Sequence, residues 1–585
     1  MRAAAAPAPT ILRAAPVWPT VLRALSGPVR VSGAKRFAAP HRPPGRGGAG
    51  AVLAVAATAI ALLCALPVAA VALEALFGGG TAIAGLATSL LPGYAATTVL
   101  IMGLVAIGTF AVGVGAAWLV SACEFAGRRW LELALVLPLA FPAYVLAYAY
   151  TDLLDHPGAV QSSLRAVTGW GPRDYWFPEI RSPGGAALML TLVLYPYVYL
   201  LSRAAFLMQG IGPFVVARSL GATPLRAFFA VALPMAWPAI VAGVLLALME
   251  TIADFGTVSH FGVQTLATGI YTAWFTLGDR TAAAQIALGL LVIALLLFFL
   301  ERLRPSGETT LAQSANPVRH PRMRLGGAAG LAAGIVCLLP VVLGALLPAL
   351  VLLDLALDSE QGWLSSRYLG FAANSLTLAS VASVVTMIAA VALGYRRRIA
   401  PTAGSRLAFT LGRMGYAVPG GVIAVGLFVP LAGFDNAVDA LAREHLGVST
   451  GLLLSGSIVL LIAVYTVRFL AAGLGAWRGG EVALTRDLDR AAANLGAPTG
   501  TILARIHLPL LTPAVLTGVL LVFVDTMKEL PATLIVRPFG WDTLAVHAYR
   551  LAADERLAGA AVPSLAIVAV GLLPVILLCR RMAMR

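Results

Sequence analysis

Lysine is almost absent from this sequence, which contains only Lys35 and Lys528 in 585 residues. The Walker A loop that holds the phosphates of ATP needs a lysine directly after a glycine. The residues before the two lysines are Ala34 and Met527. The sequence therefore excludes ATP hydrolysis of this kind, and we expect the chain to be no enzyme and to bind no cofactor itself.

Charged residues are also scarce, at 11% of the chain against 59% hydrophobic residues. Ordinary soluble proteins contain about 25% charged residues. A helix that crosses a bilayer needs about 20 apolar residues, and its backbone polar groups must be satisfied within the segment. The sequence therefore predicts an all-α polytopic membrane protein with about twelve transmembrane helices. The candidate spans are 51–77, 94–122, 130–152, 185–208, 236–256, 283–301, 325–356, 373–395, 408–432, 451–476, 513–530 and 560–579.

The net charge of +15 is placed in a pattern that follows membrane topology. Basic residues fall in every second connection between predicted spans, and the intervening connections carry more acids. Positive charge is enriched in cytoplasmic loops. We therefore expect both termini in the cytoplasm and no nucleic-acid partner. The basic connections are 128–129, 203–226, 302–324, 396–406, 478–505 and 580–585.

The segment 1–48 carries several arginines and a lysine but no acidic side chain, with many prolines and alanines. This composition predicts a disordered cytoplasmic tail. A cleaved signal peptide is not expected, because no apolar segment precedes residue 50. The four cysteines are spaced neither like a disulfide framework nor like a metal site.

An internal repeat connects two distant parts of the chain. The segment "LGATPLRAFFAVALPMAWPAIVAG" (220–243) returns without a gap as "LGAPTGTILARIHLPLLTPAVLTG" (495–518). A second similarity links "AFPAYVLA" (140–147) with "AVPGGVIA" (417–424). Gly221, Leu233, Pro234, Pro238 and Gly243 correspond to Gly496, Leu508, Pro509, Pro513 and Gly518.

About six predicted spans separate the two copies, and an even number gives both copies the same orientation. The repeat is therefore parallel, whereas inverted repeats require an odd number of spans. We predict a tail (1–48), a first six-helix repeat (49–304), a cytoplasmic linker (305–324) and a second six-helix repeat (325–585).

Each copied loop is basic and punctuated by glycine and proline. Because proline is tolerated only near the start of a helix, the pattern predicts a short surface helix up to Leu220 or Leu495. A turn follows, and a second helix starts near Pro234 or Pro509. The loops are either similar elbows left by gene duplication or a docking element presented twice to a symmetric partner.

The loop resembles the Glu-Ala-Ala-x-x-x-Gly motif, followed by Leu-Pro, of permease subunits of bacterial ABC importers. The chain departs from the motif at its Glu position, which is Val215 in one copy and Arg490 in the other. The matching positions are Ala217, Leu220, Gly221, Leu233 and Pro234, and Ala492, Leu495, Gly496, Leu508 and Pro509.

The resemblance implies the type I importer fold, in which these loops form coupling helices on two copies of a separate ATPase. That ATPase would carry ATP and magnesium. A periplasmic solute-binding protein and a location in the bacterial inner membrane are implied as well.

The segments after each loop, "METIADFGTVSHFG" (249–262) and "DTMKELPATLIVRPFG" (525–540), resemble those of the ferric iron importers. This resemblance implies ferric iron as the cargo. Thiamine, a polyamine or an aminophosphonate stays open for the same kind of importer. A stand-alone ion-coupled secondary transporter is the alternative of another class, and the parallel repeat speaks against it.

Each half places two acids four residues apart beyond its loop, Glu250 with Asp254 and Asp525 with Glu529. That spacing puts both acids on one face of a helix. Such residues rarely face lipid, so these four and Lys528 are predicted to line a translocation path for a hard cation. The alternative is that they cap helix ends or pair internally. No metal site is firmly assigned.

Two further sets of residues carry weaker hypotheses. Arg468 lies inside an apolar span and is a candidate partner for one of the acids. Tyrosine can ligate ferric iron, but it is also common at membrane interfaces. The tyrosines in question are expected near the outer ends of two spans, at Tyr144, Tyr148, Tyr150, Tyr195, Tyr197 and Tyr199.

Overall fold

A computed structural model describes residues 48–79, 90–209, 212–302, 322–359, 365–482 and 484–583. The predicted tail, except for residue 48, lies outside the described residues, as do residues 305–321 of the predicted linker.

The first half is a series of helices of very different lengths. A 3₁₀ turn at Leu137–Ala140 and π-helical turns at Phe228–Ala232 and Thr272–Thr276 lie between some of these helices. Its elements are α1 (Gly48–Phe77), α2 (Leu91–Ala122), β1 (Cys123–Glu124), α3 (Arg128–Ala134), α4 (Ala143–Leu154), α5 (Ala159–Thr168), α6 (Pro183–Gln209), α7 (Gly212–Ser219), α8 (Pro224–Ala227), α9 (Leu233–Ala253), α10 (Gly256–His260), α11 (Leu266–Tyr271) and α12 (Arg280–Arg302).

The second half begins with the strand β2, which pairs in parallel with β1. It contains π-helical turns at Val342–Leu346 and Leu503–His507. Its elements are β2 (Met323–Arg324), α13 (Gly327–Val341), α14 (Leu347–Leu357), α15 (Ser366–Ile399), α16 (Ala403–Met414), α17 (Gly420–Leu446), α18 (Ile458–Glu481), α19 (Arg486–Asn494), α20 (Thr499–Ile502), α21 (Leu508–Met527), α22 (Pro531–Val536), α23 (Leu544–Ala553) and α24 (Leu557–Ala583).

The predicted repeat is visible in where the helices begin. The sequence offset that relates Gly221 to Gly496 also relates the starts of α2, α3, α6, α9 and α10 to the starts of α15, α16, α18, α21 and α22. The π-helical turn before α9 and the one before α21 show the same offset. Because so many boundaries share one offset, the two halves are copies of one helical unit.

Each half has a core of three packed helices, α2 with α6 and α9, and α15 with α18 and α21. The first helix, α1, packs on α12 of its own half and also on α15, α16 and α17 of the other half. In return, α14 of the second half packs on α4 of the first as well as on α24. The halves therefore interlock through their first helices.

Eleven described helices are long and apolar enough to cross a membrane, and the number is twelve if one bent pair is taken as a single span. This confirms the predicted all-α polytopic class. The bent pair, Arg128–Ala140 with Ala143–Thr168, is bent by 94°. The predicted span 130–152 is therefore not one continuous helix.

The predicted span 408–432 is likewise not one continuous helix. The chain breaks between α16 and α17, and the apolar helix that follows is 420–446. Pro142 and Pro419 each precede the new helix with extended backbone, at ψ 142° and 144°. Proline has no N–H to continue a preceding helix. The break therefore falls at the repeated segments around these two prolines.

A three-residue ionic contact joins the two halves near the starts of α6 and α24. Arg181 donates to both carboxylate oxygens of Glu555 at 2.7 and 2.9 Å and to Asp155 at 2.9 Å. These hydrogen bonds from Arg181 lower the pKa of the Glu555 carboxyl. Glu555 has a φ of 57°, a conformation that glycine adopts more easily. The pairing therefore compensates for local backbone strain.

The charge-based orientation of the chain makes a direct labelling prediction. Val160 on α5 and Gly404 on α16 are both exposed. In a variant without the native cysteines, Val160→Cys should react in intact cells with a membrane-impermeant maleimide, and Gly404→Cys should react only after permeabilisation. Labelling of Gly404→Cys in intact cells would reverse the orientation.

Candidate functional site: two repeated loops and a central charge cluster

The two copied loops each carry a short helix, α7 and α19, that ends at the repeated glycine. In the first copy, the N–H of Gly221 donates to Arg218 O at 3.1 Å, and the N–H of Ala222 donates to Ala217 O at 3.1 Å. Gly221 has a φ of 90°. This is the Schellman arrangement that stops a helix at a left-handed residue.

The second copy is built in the same way. The N–H of Gly496 donates to Ala493 O at 3.0 Å, and that of Ala497 to Ala492 O at 3.1 Å, with a φ of 78° at Gly496. In each copy the alanine of the motif accepts the hydrogen bond that closes the helix end, and the glycine of the motif is the left-handed residue. The predicted short helices and turns lie where the sequence placed them.

The helix stop leaves one leucine of each loop almost fully exposed. Leu220 is 82% exposed and Leu495 is 87% exposed. Both precede the left-handed glycine, so the turn directs the chain away and leaves the side chain on the loop surface. Each loop thus exposes one leucine at the end of its short helix. That helix is basic in the first loop and carries charges of both signs in the second.

The α-helices α9 and α21 begin at Leu233 and Leu508, next to Pro234 and Pro509 as predicted, but they continue helical segments that begin earlier in the chain. The helical segments begin at Pro224 and Thr499 and continue as single candidate spans, 224–253 and 499–527. Pro234 and Pro509 have no N–H, and a π-helical turn lies directly before each of them. In these turns Leu233 N donates to Phe228 O and Leu508 N donates to Leu503 O, five residues back.

The second loop is held in place by a network of charged groups. Arg398 pairs with Asp489 on α19 at 2.8 Å and with Glu481 at 3.5 Å. The other oxygen of Asp489 lies 2.6 Å from Nε2 of His507, which is fully buried. Tyr395 adds a hydrogen bond to Thr499 O at 2.7 Å. The loop is tied to both α15 and the following span.

The first loop is held by aromatic packing instead. The Trp118 ring lies 5.2, 5.2 and 5.0 Å from the ring centres of Phe206, Phe214 and Phe228. Such contacts add to the burial of large apolar surfaces. In the repeat, Phe206 and Phe214 occupy the positions that Glu481 and Asp489 occupy in the second half. A comparison of the two halves position by position would have revealed this exchange of apolar for ionic anchors, which the sequence analysis missed.

Two of the predicted path acids lie two residues before the short helices that follow α9 and α21. The Asp254 carboxylate accepts from the backbone N–H and the hydroxyl of Thr257 at 3.1 and 3.0 Å, and from Val258 N at 3.3 Å. The Glu529 carboxylate accepts from Ala532 N at 3.0 Å. Both acids therefore cap α10 and α22.

This arrangement corrects the prediction that each pair of acids shares one helix face. The helix α9 ends at Ala253 and α21 ends at Met527. Only Glu250 and Asp525 are therefore helical, because the backbone turns before the second acid to start the next helix. Sequence spacing alone does not reveal that stop.

Two cations pair with acids of the cluster. Lys528 Nζ lies 2.9 Å from Asp525 Oδ1, and Arg468 Nε lies 2.9 Å from Glu529 Oε2. The first pair keeps 29% and 28% of its side-chain surface exposed, whereas the second keeps only 10% and 5%. The predicted partnership of Arg468 with an acid is present, and it forms a deeply buried ion pair.

Gly420, from the second repeated segment, lies directly against this buried pair. A Cβ atom there would stand 2.6 Å from Glu529 Oε1 and 3.0 Å from Arg468 Nη1. A side chain at this position would therefore have to displace the end of the Glu529 side chain from its present place. The break before α17 thus places Gly420, which has no side chain, against the Arg468–Glu529 ion pair.

Glu250 is the remaining acid, and it forms no ion pair among the described residues. It interacts electrostatically with the phenols of Tyr416, from the break before α17, and of Tyr197 on α6. Lys528 and Asp525 are further members of the same group of neighbours. The cluster therefore draws side chains from both halves.

An open cavity of about 320 Å³ lies between the halves, beside the cluster. None of the described residues that line it is charged. Its polar groups include Gln264 and the hydroxyls of Ser259 and Tyr549, which lie 3.0 Å apart. Tyr271, also in the lining, hydrogen-bonds to Pro531 O at the start of α22. The cavity wall is thus tied to the segment that carries Glu529.

The tyrosines considered as iron ligands are divided between structural roles. Tyr150 donates to Leu343 O and Tyr199 to Glu132 O, each at 2.7 Å. Tyr195, Tyr197 and Tyr199 lie near the middle of the 27-residue α6, so their expected position at the outer end of a span was wrong. Among the described residues, no group of three or more His, Cys, Asp or Glu side chains could hold a metal ion.

Comparison with known proteins gives consistent matches. Residues 110–304 match the family described as binding-protein-dependent transport system inner membrane component. The chain is 26% identical to the Fe(3+)-transport system permease protein FbpB 2 of Haemophilus influenzae, over 82% of this chain and 88% of the relative.

Shorter stretches match permeases named for other cargoes. The molybdenum transport system permease protein ModB of Escherichia coli is 28% identical over 32% of this chain and 82% of its own length. PhnU of Salmonella typhimurium, a permease protein named for 2-aminoethylphosphonate transport, is 32% identical over 29% of this chain and 59% of its own length.

Proposed function

We propose that this chain, which belongs to the binding-protein-dependent permeases of ABC importers, forms the translocation path for ferric iron. It is a multi-pass membrane permease. In the proposed machine, a periplasmic binding protein delivers the cation to the outer side of an inner-membrane complex. Two copies of a separate ATPase bind the two loops on the cytoplasmic side, where both termini also lie.

The balance of charge in the central cluster supports a cation as the cargo. Among the described residues of the cluster, four carboxylates, Glu250, Asp254, Asp525 and Glu529, lie near two cationic side chains, Lys528 and Arg468. Carboxylate oxygens are hard ligands that suit hard cations. A path for an oxyanion would need the opposite balance. The long match to the Fe(3+) permease agrees with this preference.

The continuity of the helices supports a mechanical link between the loops and the cluster. Each span starts within a few residues of the exposed leucine, at Pro224 or Thr499, and ends beside the acids, at Ala253 or Met527. With a rise of about 1.5 Å per residue, a span of this length reaches roughly 40 Å. Movement of a docked loop would therefore be transmitted along the helix to Glu250 or Asp525.

The exposed leucines support the assignment of the loops as docking elements. Leu220 and Leu495 stand at the same helix stop in both halves, on one side of a parallel repeat. Two identical partner subunits could each bind one of these leucines. Loops that are only a remnant of gene duplication would have no need to keep an exposed leucine in both copies. ATP hydrolysis belongs to that partner, since this chain has no Walker A lysine.

An oxyanion such as molybdate or an aminophosphonate is the second candidate, because relatives named for both share part of the chain. Lys528 and Arg468 would then bind the cargo. Their existing pairing with Asp525 and Glu529 disfavours this use, since an anion would have to displace a carboxylate.

Uptake by cells tests the proposal. Cells that lack their own iron and molybdate importers should express this chain with its ATPase and binding protein. We expect radioactive ferric iron to accumulate and radioactive molybdate not to, and the iron uptake should stop when the Walker A lysine of the ATPase is replaced. Molybdate accumulation without iron accumulation would overturn the assignment of the cargo.

A further inference from the structure

The short helices α11 and α23 are a further pair of copies, one in each half. The first is part of "TLATGIY" (265–271) and the second of "TLAVHAY" (543–549). In both, the threonine before the helix accepts a hydrogen bond at 3.3 Å from the backbone N–H three residues on. Threonine, leucine, alanine and tyrosine recur at the same spacing, so Tyr271 and Tyr549 are equivalent residues of the two halves.

Each of these helices is attached to its own half by the same kind of bond. The backbone N–H of Leu266 donates to the hydroxyl of Thr98 on α2 at 3.1 Å. The backbone N–H of Leu544 donates to the hydroxyl of Ser375 on α15 at 2.8 Å. Since α2 and α15 are themselves counterparts in the repeat, both helices occupy the same place in their halves.

The two tyrosines reach across the junction between the halves. The hydroxyl of Tyr271 donates to the carbonyl oxygen of Pro531, at the start of α22 in the second half. The hydroxyl of Tyr549 lies 3.0 Å from that of Ser259, which belongs to α10 in the first half. Because α10 and α22 are counterparts, each half grips the same element of the other half.

Both tyrosines line the open cavity between the halves. The ring of Phe255, also in the lining, has its centre 3.7 Å from that of Tyr271 and 5.6 Å from that of Tyr549. The three rings thus form a continuous wall across the junction. The lining comes from segments that follow the ends of α9 and α21, which are the ends away from the two repeated loops. The cavity therefore lies on the outer side of the charge cluster.

Tyr271 separates this cavity from the buried part of the cluster. Its ring lines the cavity, but its hydroxyl holds Pro531, two residues after Glu529. A Cβ atom built at Gly421 would lie only 3.4 Å from that hydroxyl oxygen. Tyr271 is 7% exposed, and Ala532 on its far side is fully buried. The cavity therefore ends at the tyrosine, and the cluster begins behind it.

We propose that Tyr271 and Tyr549 form a paired gate between the outer cavity and the charge cluster of the translocation path. Separation of the two halves at the cavity has to break both hydrogen bonds, one from each tyrosine. The gate rests on the proposed function, because it has a use only if a cargo passes between the halves. That function by itself assigns no role to either tyrosine.

The chemistry of the gate suits repeated opening. Its two bonds join neutral groups, and neutral hydrogen bonds contribute less to stability than bonds to charged groups. The buried pair of Arg468 and Glu529, in contrast, lies wholly within the second half. The halves can therefore part at Tyr271 and Tyr549 without leaving either charge of that pair alone.

The first test measures access to a residue behind the gate. Ala532→Cys is placed in a full-length chain without the native cysteines, expressed with its ATPase, and treated in intact cells with a membrane-impermeant methanethiosulfonate. We expect almost no reaction while both tyrosines are present. The double substitution Tyr271→Phe with Tyr549→Phe keeps the rings but removes both crossing bonds, and it should raise the reaction rate at least tenfold.

The second measurement is ATP hydrolysis by the purified complex without its binding protein. Loss of the bonds that hold the resting state should raise this basal rate at least threefold in the double variant. The matched control is Tyr465→Phe. The Tyr465 hydroxyl lies 2.7 Å from that of Thr533 on α22, but both residues belong to the second half. This control should leave the labelling and the basal rate as in the wild type.

Three results would overturn the gate. The double variant could retain the wild-type labelling and basal rate, or Ala532→Cys could react freely with both tyrosines in place. A loss of membrane abundance in the double variant would show that the two bonds hold the fold instead. If the wild-type complex took up no iron while the double variant still changed both measurements, the iron assignment would fail and the gate would stand.

Discussion

Glu529→Gln should remove most of the folded protein from the membrane. The substitution keeps the shape and leaves an oxygen for Ala532 N, so the cap of α22 can survive. It removes the only carboxylate within ion-pairing distance of Arg468 among the described residues, and that arginine is almost fully buried. Breaking a buried pair by removing one partner costs roughly 3–5 kcal/mol. Membrane abundance and thermal aggregation of the tagged protein measure the effect.

The matched control is Asp525→Asn, which removes one partner of a partly exposed pair. Solvent near Lys528 can screen the remaining charge, so we expect a much smaller loss of abundance. The double substitution Arg468→Met with Glu529→Leu should recover folded protein, because no charge is left unpaired. Normal abundance of Glu529→Gln would show that this ion pair does not hold the fold.

Gly496→Val should reduce the amount of ATPase that co-purifies with the permease by at least tenfold, and Gly221→Val should have a similar effect. Both glycines have a left-handed φ, of 78° and 90°, that a β-branched residue adopts only at a cost of roughly 1–3 kcal/mol. No described atom lies within 4 Å of a Cβ built at either position. The effect therefore comes from the backbone, which would move the short helix of the loop and its exposed leucine.

The control for the loop variants is Gly404→Val. Gly404 is also exposed, at a position of α16 with no atom near a built Cβ, but its φ is not left-handed. We expect it to assemble with the ATPase and to stimulate ATP hydrolysis as the wild type does. If both loop variants retained the ATPase as well as the control does, the turns would have no part in docking.

The sequence predicted the repeat and most of the spans because these depend on local patterns. Hydrophobic length marks a membrane helix, and one constant offset along the chain marks the copies. The breaks at Pro142 and Pro419 were missed, since the apolar runs on either side join into one stretch. The prolines themselves were visible, and their recurrence in the two similar segments was the available signal.

The contacts of the central cluster were not predictable from spacing. Arg468 and Glu529 are far apart in sequence, and only tertiary packing brings them together. The acids also illustrate a limit of helical spacing as evidence. A separation of four residues indicates one face only if the helix continues, and here it stops between the two acids.

Reconstitution into liposomes tests the central claim most directly. Proteoliposomes would hold this chain with its ATPase, with the ATPase side and ATP inside and the iron-loaded binding protein outside. We predict that ferric iron accumulates inside only while ATP is hydrolysed, and that a protonophore leaves the accumulation unchanged. Accumulation that proceeded without ATP and collapsed with the protonophore would identify an ion-coupled carrier and contradict the account.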